Sequence, residues 1–268
     1  MMEMDKFTVQ VFPTDEALAA AVATNWLDAV AAAATARTKH LVALSGGRSA
    51  KLLFAAVVAQ AVAGGQNARA TGGAGILPAS PALGAAMPSL DLGPVEFFWA
   101  DERCVPPNDP ESNFRLAREC MLDPLGIPEA QVHRILGEIE PEAAAAAATA
   151  TLRRIANPPE TAMPVLDLVL LGMGEDGHVA SLFPGDEAAL ADHVAVFRPV
   201  RNSPKPPPKR VTLGLGAIIA AREVWVLVTG AGKVPALRDA LSPLGQTPLA
   251  QVIQHRQTTR IFSDVEPR

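Results

Sequence analysis

Short runs of branched and aromatic residues alternate with stretches of helical period along this chain. Thr8–Val11 reads as a strand, and Thr14 or Asp15 then caps an alanine-rich helix running to about Ala36. Leu41–Leu44, Glu96–Ala100 and Asp167–Leu171 are apolar runs of buried-strand type, and Val194–Val200, Glu223–Thr229 and Arg260–Phe262 add further strands. Helical period is expected over Ser49–Ala63, Ser112–Met121, Pro141–Ile155, Lys233–Leu241 and Leu249–Gln254. Such alternation predicts an α/β fold of Rossmann-like, three-layer type, a mostly parallel sheet covered by helices on both faces. One stretch breaks the pattern: Gly64–Gly93, rich in Gly, Ala, Pro and Ser, reads as a surface insertion rather than a domain boundary. A single domain over residues 1–268 is therefore expected.

Composition narrows the classes. With 49% apolar and 19% charged residues among 268, the chain can bury a core. Its longest apolar runs are short and interrupted, so no membrane-spanning helix is expected, and Met1–Lys6 lacks the pattern of a secretory signal. A cytoplasmic protein is the expectation. The net charge of −5 argues against a nucleic-acid partner. Cys104 and Cys120 have no metal-type spacing and suggest no disulfide framework, and neither a metal nor a cofactor is expected. Charge is unevenly spread, however. No acidic residue lies between His193 and Arg222, where Arg198, Arg201, Lys205, Lys209 and Arg210 gather among five prolines. That segment reads as a stiff loop, either simply solvated or a cationic rim for a small anionic substrate.

Candidate chemistry lies where strands end. After Leu41–Leu44 comes Ser45-Gly46-Gly47-Arg48-Ser49, a glycine loop opening a helix. Backbone N–H groups converge at such a terminus and can cradle an anion, although an ordinary glycine turn has the same sequence. After Glu96–Ala100 comes Asp101-Glu102-Arg103, and then Ser112-Asn113 opens a helix. Asp101 and Arg103 suit either a structural ion pair or a polar, phosphorylated substrate. After Asp167–Leu171 comes Gly172-Met173-Gly174-Glu175-Asp176-Gly177-His178. A histidine there exchanges protons near neutral pH, and no second ligand stands at metal-binding spacing from it. The nucleotide P-loop, the dinucleotide fingerprint and the serine-hydrolase elbow are all absent.

Together these blocks resemble the 6-phosphogluconolactonase family, within the wider glucosamine-6-phosphate isomerase/lactonase superfamily. Ser45-Gly46-Gly47 is similar to the family's Ser-Gly-Gly-Ser-Thr-Pro loop, and Asp101–Pro106 with Ser112-Asn113 is similar to its Asp-Glu-Arg-x-Val-Pro…Ser-Asn block. Gly172–Gly185 matches its most specific signature, and Lys209–Leu213 and Gly230–Lys233 resemble its later elements. Two departures are plain: Arg48-Ser49-Ala50 stands where the family has Ser-Thr-Pro, and the Gly64–Gly93 insertion is longer than the resemblance leads one to expect.

The resemblance implies hydrolysis of a phosphorylated sugar lactone, 6-phospho-D-glucono-1,5-lactone, in the oxidative pentose phosphate pathway, by a monomer. It implies His178 as general base, with Asp176 or Asp101 as its partner. Ser45, Gly46, Gly47, Arg48, Ser49, Arg103, Asn113, Gly174, Arg210 and Lys233 are implied around the substrate and its phosphate. Arg103 in place of the isomerase branch's tyrosine, and Ser181-Leu182-Phe183-Pro184 in place of its Phe-Asn-Glu-Pro, favour the lactonase. The alternatives are an isomerase or deaminase, with Asp101 moving the proton, and a non-catalytic sugar-phosphate sensor.

Overall fold

The computed structural model describes residues 6–70 and 91–267. Its main sheet has six strands: β1 (Phe7–Val11), β2 (His40–Leu44), β3 (Val95–Trp99), β5 (Leu168–Gly172), β8 (Glu223–Val228) and β9 (Thr259–Ser263). Their spatial order is β1-β9-β8-β5-β2-β3, and every pairing is parallel. All five residues of β2 are buried, as are four of five in β3 and β5, so the central strands are covered on both faces. Continuous apolar runs, rather than alternating ones, are what that double burial requires.

The helices are α1 (Asp15–Ala36), α2 (Arg48–Ala70), α3 (Asn113–Ala117), α4 (Pro141–Ala156), α5 (Glu187–Ala191), α6 (Leu215–Ala220), α7 (Val234–Leu241) and α8 (Pro248–Gln254). Thr14 caps α1, its side chain accepting from the Ala17 N–H at 3.1 Å. The buried stripe of that helix, Leu18, Val22, Trp26 and Val30, faces the core, where Trp26 meets Phe97 edge-on at 6.2 Å. By length and composition α1 is long and apolar enough to cross a membrane, contrary to the expectation. Alanine supplies that hydropathy, and the buried stripe is that of a core helix.

Sequence reasoning missed a second sheet, formed by β4 (Asp101–Arg103), β6 (Phe197–Val200) and β7 (Arg210–Leu213) in antiparallel order β4-β7-β6. β6 falls within the strand expected at Val194–Val200, but the rest of the segment read as a stiff loop up to Arg222 also holds β7 and α6, and its proline-rich middle is irregular. Charged residues hid β4 and β7: Asp101, Glu102 and Arg210 are each at most 5% exposed, which local pattern reads as solvent-facing. The alanine run of α4 packs against this small sheet, burying Ala144, Ala145 and Leu152. The expected helix over Ser112–Met121 is α3 followed by a wider π-helical turn over Arg118–Leu122. α2 runs on to Ala70, into the stretch read as an insertion, and residues 71–90 of that stretch lie outside the described residues.

Candidate active site

β2 and β5 are neighbours, yet the chain leaves them in opposite directions, to β3 on one side and to β8 and β9 on the other. Connections diverging this way open a crevice beyond the strands' carboxyl ends. Here it is a cleft of about 400 Å³, lined by the loops after β2 and β5, by β4, and by Asn113, Lys205, Arg210, Thr229 and Lys233.

The loop after β5 closes tightly. The Gly174 N–H donates to the His178 carbonyl at 2.9 Å, and the Gly177 N–H donates to the Gly174 carbonyl at 3.0 Å. Gly177 needs its glycine because φ is +79° and a Cβ would meet Thr247. This closure brings His178 Nδ1 to 2.5 Å from Asp176 Oδ1, so Asp176 rather than Asp101 is the histidine's direct partner. The ring also lies against Phe183, centroids 4.8 Å apart. Ala180, two residues on, is held at φ +49°, a left-handed conformation that non-glycine residues rarely adopt, at the edge of the cleft.

Burial lowers the His178 pKa below its ordinary value; the hydrogen bond and charge of Asp176 push the other way but do not prevail. For Asp176, burial alone would raise the pKa, and the bond to His178 together with the charge of Lys205 outweighs it, leaving the carboxyl below its usual range. An ionised Asp176 beside a neutral imidazole requires the proton on Nδ1. The lone pair is then on Nε2, the arrangement of a resting general base.

Across the cleft stands the N-terminus of α2. Its first-turn N–H groups lack intrahelical acceptors, and the helix dipole favours negative charge there. Gly46 is obligatory, since a Cβ would lie 1.8 Å from the Asn113 side-chain oxygen. The hydroxyls are engaged elsewhere: Ser45 donates to the Leu170 carbonyl at 2.8 Å, and Ser49 pairs with Thr229 at 2.7 Å. Cations take over that end of the site. Arg48 is exposed, with its guanidinium near Gly230. Burial first, and the Arg48 charge next, lower the pKa of Lys233. Two cations brought together beside a positive helix end make a setting that favours negative charge.

The remaining predicted residues form a support. Asp101 Oδ2 accepts from Ser181 Oγ at 2.6 Å, and the Asn113 side-chain amide donates to Asp101 Oδ1 at 3.2 Å and to its carbonyl at 2.9 Å. Arg210, 4% exposed, is 3.9 Å from Asp101 Oδ2 and donates to the carbonyls of Lys205, Pro206 and Pro207, each at 3.0 Å. Its donors are thus engaged by protein. Arg103 lines the cleft but donates to the Glu111 carbonyl at 2.7 Å. Of the basic cluster, Arg198, Arg201 and Lys209 pair outward with Asp192, Glu142 and Glu140. Lys205 instead turns inward to Asp176, at 3.3 Å. Sequence reasoning did not single it out, although its place in an acid-free, proline-rich segment was the available signal. Among the described residues, no three His, Cys, Asp or Glu side chains gather as a metal site.

The family model described as glucosamine-6-phosphate isomerases/6-phosphogluconolactonase matches residues 13–261. A 6-phosphogluconolactonase of Mycobacterium tuberculosis is 36% identical over 241 residues, covering 87% of this chain and 85% of the relative. A 6-phosphogluconolactonase of Streptomyces coelicolor is 40% identical over 222 residues, covering 78% and 82%. The solved structure of 6-phosphogluconolactonase from Trypanosoma cruzi superposes with a TM-score of 0.76 at 25% identity, over 97% of this chain and 95% of that one.

Proposed function

The chain belongs to the glucosamine-6-phosphate isomerase/6-phosphogluconolactonase family, and we propose that it hydrolyses 6-phospho-D-glucono-1,5-lactone to 6-phospho-D-gluconate with His178 as general base. The observation that carries this reading is the pairing, in one cleft, of a hydrogen-bonded His178–Asp176 couple with the N-terminus of α2, Arg48 and Lys233. Nε2 of His178 takes a proton from water as the water oxygen attacks C1. The imidazolium, balanced by Asp176, returns that proton to the ring oxygen as the C1–O bond breaks. Acid–base help of this kind contributes about 10²–10⁴-fold. The 6-phosphate rests on the α2 N-terminus between Arg48 and Lys233, so that binding energy far from C1 holds the carbonyl against the histidine. A cytoplasmic location accords with this reading.

The isomerase alternative needs Asp101 as a mobile proton carrier. Asp101 instead accepts hydrogen bonds from Ser181 and Asn113 and lies beside Arg210, so both of its carboxylate oxygens are held by protein partners. The test is a coupled assay in which freshly generated lactone is offered and 6-phosphogluconate is detected, with spontaneous hydrolysis subtracted. His178→Ala should lose most turnover yet still bind 6-phosphogluconate. Near-wild-type turnover would overturn the assignment, and ammonia release from glucosamine-6-phosphate would favour the deaminase.

A further inference from the structure

The segment Ser203–Lys209 owes its shape to a buried charge. Arg210 grips three successive carbonyls of it, those of Lys205, Pro206 and Pro207, and is steadied in turn by Asp101 and by Ser181 Oγ at 3.4 Å. The Ser203 hydroxyl adds a further tie, donating to the Lys205 carbonyl at 2.7 Å and accepting the Lys205 N–H at 3.1 Å. So fixed a backbone presents one side chain to the dyad: Lys205 Nζ stands 3.3 Å from Asp176 Oδ1 and 3.3 Å from His178 Nδ1.

We propose that Lys205 is a positioning residue for the general base, its ammonium holding the Asp176 carboxylate so that the imidazole keeps its proton on Nδ1 and its lone pair on Nε2. The proposal rests on reading His178 as the base. Ammonium and Nδ1–H are both donors, and Asp176 Oδ1 is the acceptor they share. A second proton on the ring would set imidazolium beside ammonium, and that repulsion opposes resting protonation. The same repulsion urges the imidazolium formed during turnover to give up its proton. The other groups facing the ring are Asp176 from its own loop, Asp101 from β4 and the uncharged Phe183 ring. Glu175, although adjacent, is turned to Gly232. Arg210 lies 3.9 Å from Asp101, and Lys205 is the cation that meets the Asp176 carboxylate beside the ring.

A plain phosphate ligand at Lys205 would behave differently, and the experiment separates the two. The imidazole of His178 is titrated by NMR in the ligand-free protein, and the acid limb of kcat/KM is measured, for wild type, Lys205→Met and Lys205→Arg. For a half-exposed charge at this distance, Lys205→Met should raise the His178 titration midpoint and the acid limb together by roughly half to one pH unit at low salt. High salt should shrink the difference. Lys205→Arg should restore most of the shift because the charge returns. Midpoint and limb that stay where they are, with only KM raised, would overturn the proposal. The titration requires no substrate, so a failure of the lactonase assignment leaves this test readable. Lys205 is partly exposed and outside the core, and an unchanged amide spectrum away from the cleft verifies the fold of each variant.

Discussion

A single methyl group placed on Gly174 should disable the site while leaving the fold intact. The backbone of Gly174 is not in the left-handed region, so alanine carries no conformational strain there. Its Cβ, however, would lie 2.0 Å from His178 Nδ1, 2.1 Å from His178 Cε1 and 2.5 Å from Asp176 Oδ1. Retreating from 2.0 Å to an ordinary contact of 3.4 Å moves the ring by about 1.4 Å. That displacement breaks the 2.5 Å bond to Asp176 and carries Nε2 off the line of attack. Misplacement of about 1 Å costs on the order of 10²-fold, and full loss of the base about 10²–10⁴-fold. Gly174→Ala should therefore lower kcat by about 10²-fold or more. With the phosphate seated as proposed at the α2 end of the cleft, the affinity for 6-phosphogluconate should change less than about threefold, as only about 0.7 kcal/mol would be at stake. The assay is initial-rate lactone hydrolysis corrected for the uncatalysed reaction, with product binding by calorimetry and the melting temperature measured on the same preparation. Turnover within threefold of wild type would show that the ring does not sit where this chemistry needs it.

Two further predictions concern stability. Arg256, 8% exposed, donates to the carbonyls of Ile218, Ile219 and Ala221 at the end of α6 and to those of Arg222 and Thr258. Arg256→Met would leave these acceptors without their cation and should cost about 3–5 kcal/mol in urea unfolding; a loss below about 1 kcal/mol would refute the role. His40, 7% exposed, has its pKa lowered by burial, against the pull of Asp167, and its Nε2 accepts from Trp26 Nε1 at 3.2 Å. With the folded value below the unfolded one, the unfolded chain binds the extra proton. This contribution is complete above the unfolded pKa and falls away as pH drops below it, by about 1.4 kcal/mol for each pH unit between the two values. Unfolding free energies at neutral pH and at pH 5 should diverge less in His40→Gln than in wild type, and equal slopes would refute the assignment.

Where sequence reasoning succeeded, it relied on local pattern. The strands of the main sheet that flank the cleft are buried on both faces, so they appear as unbroken apolar runs, and the glycine loops follow them directly. Ser45–Ser49 and Gly172–His178 were legible as loops for that reason, whereas the choice between branches from Arg103 and Ser181–Pro184 rested on resemblance to family motifs. Reasoning from pattern failed wherever a charged residue is buried by a distant partner. Asp101-Glu102-Arg103 reads as the polar block beyond the end of a strand, yet it forms a strand of its own paired with Arg210–Thr212. Arg210 reads as a ligand for phosphate, yet its donors go to the backbone of its own segment.

Alone, then, the sequence determined the α/β class, the apolar strands that flank the cleft, and the glycine loops that follow them. Each of these is written in residues that are neighbours along the chain. Only the tertiary structure decided that Asp176 rather than Asp101 holds His178, that Asp101 and Arg210 brace the site, and that Lys205 reaches the dyad. Hydrophobic periodicity records which face of an element is buried, whereas the partner of a buried charge is set by where separate elements meet. That meeting point is a property of the folded sheet and has no local signature.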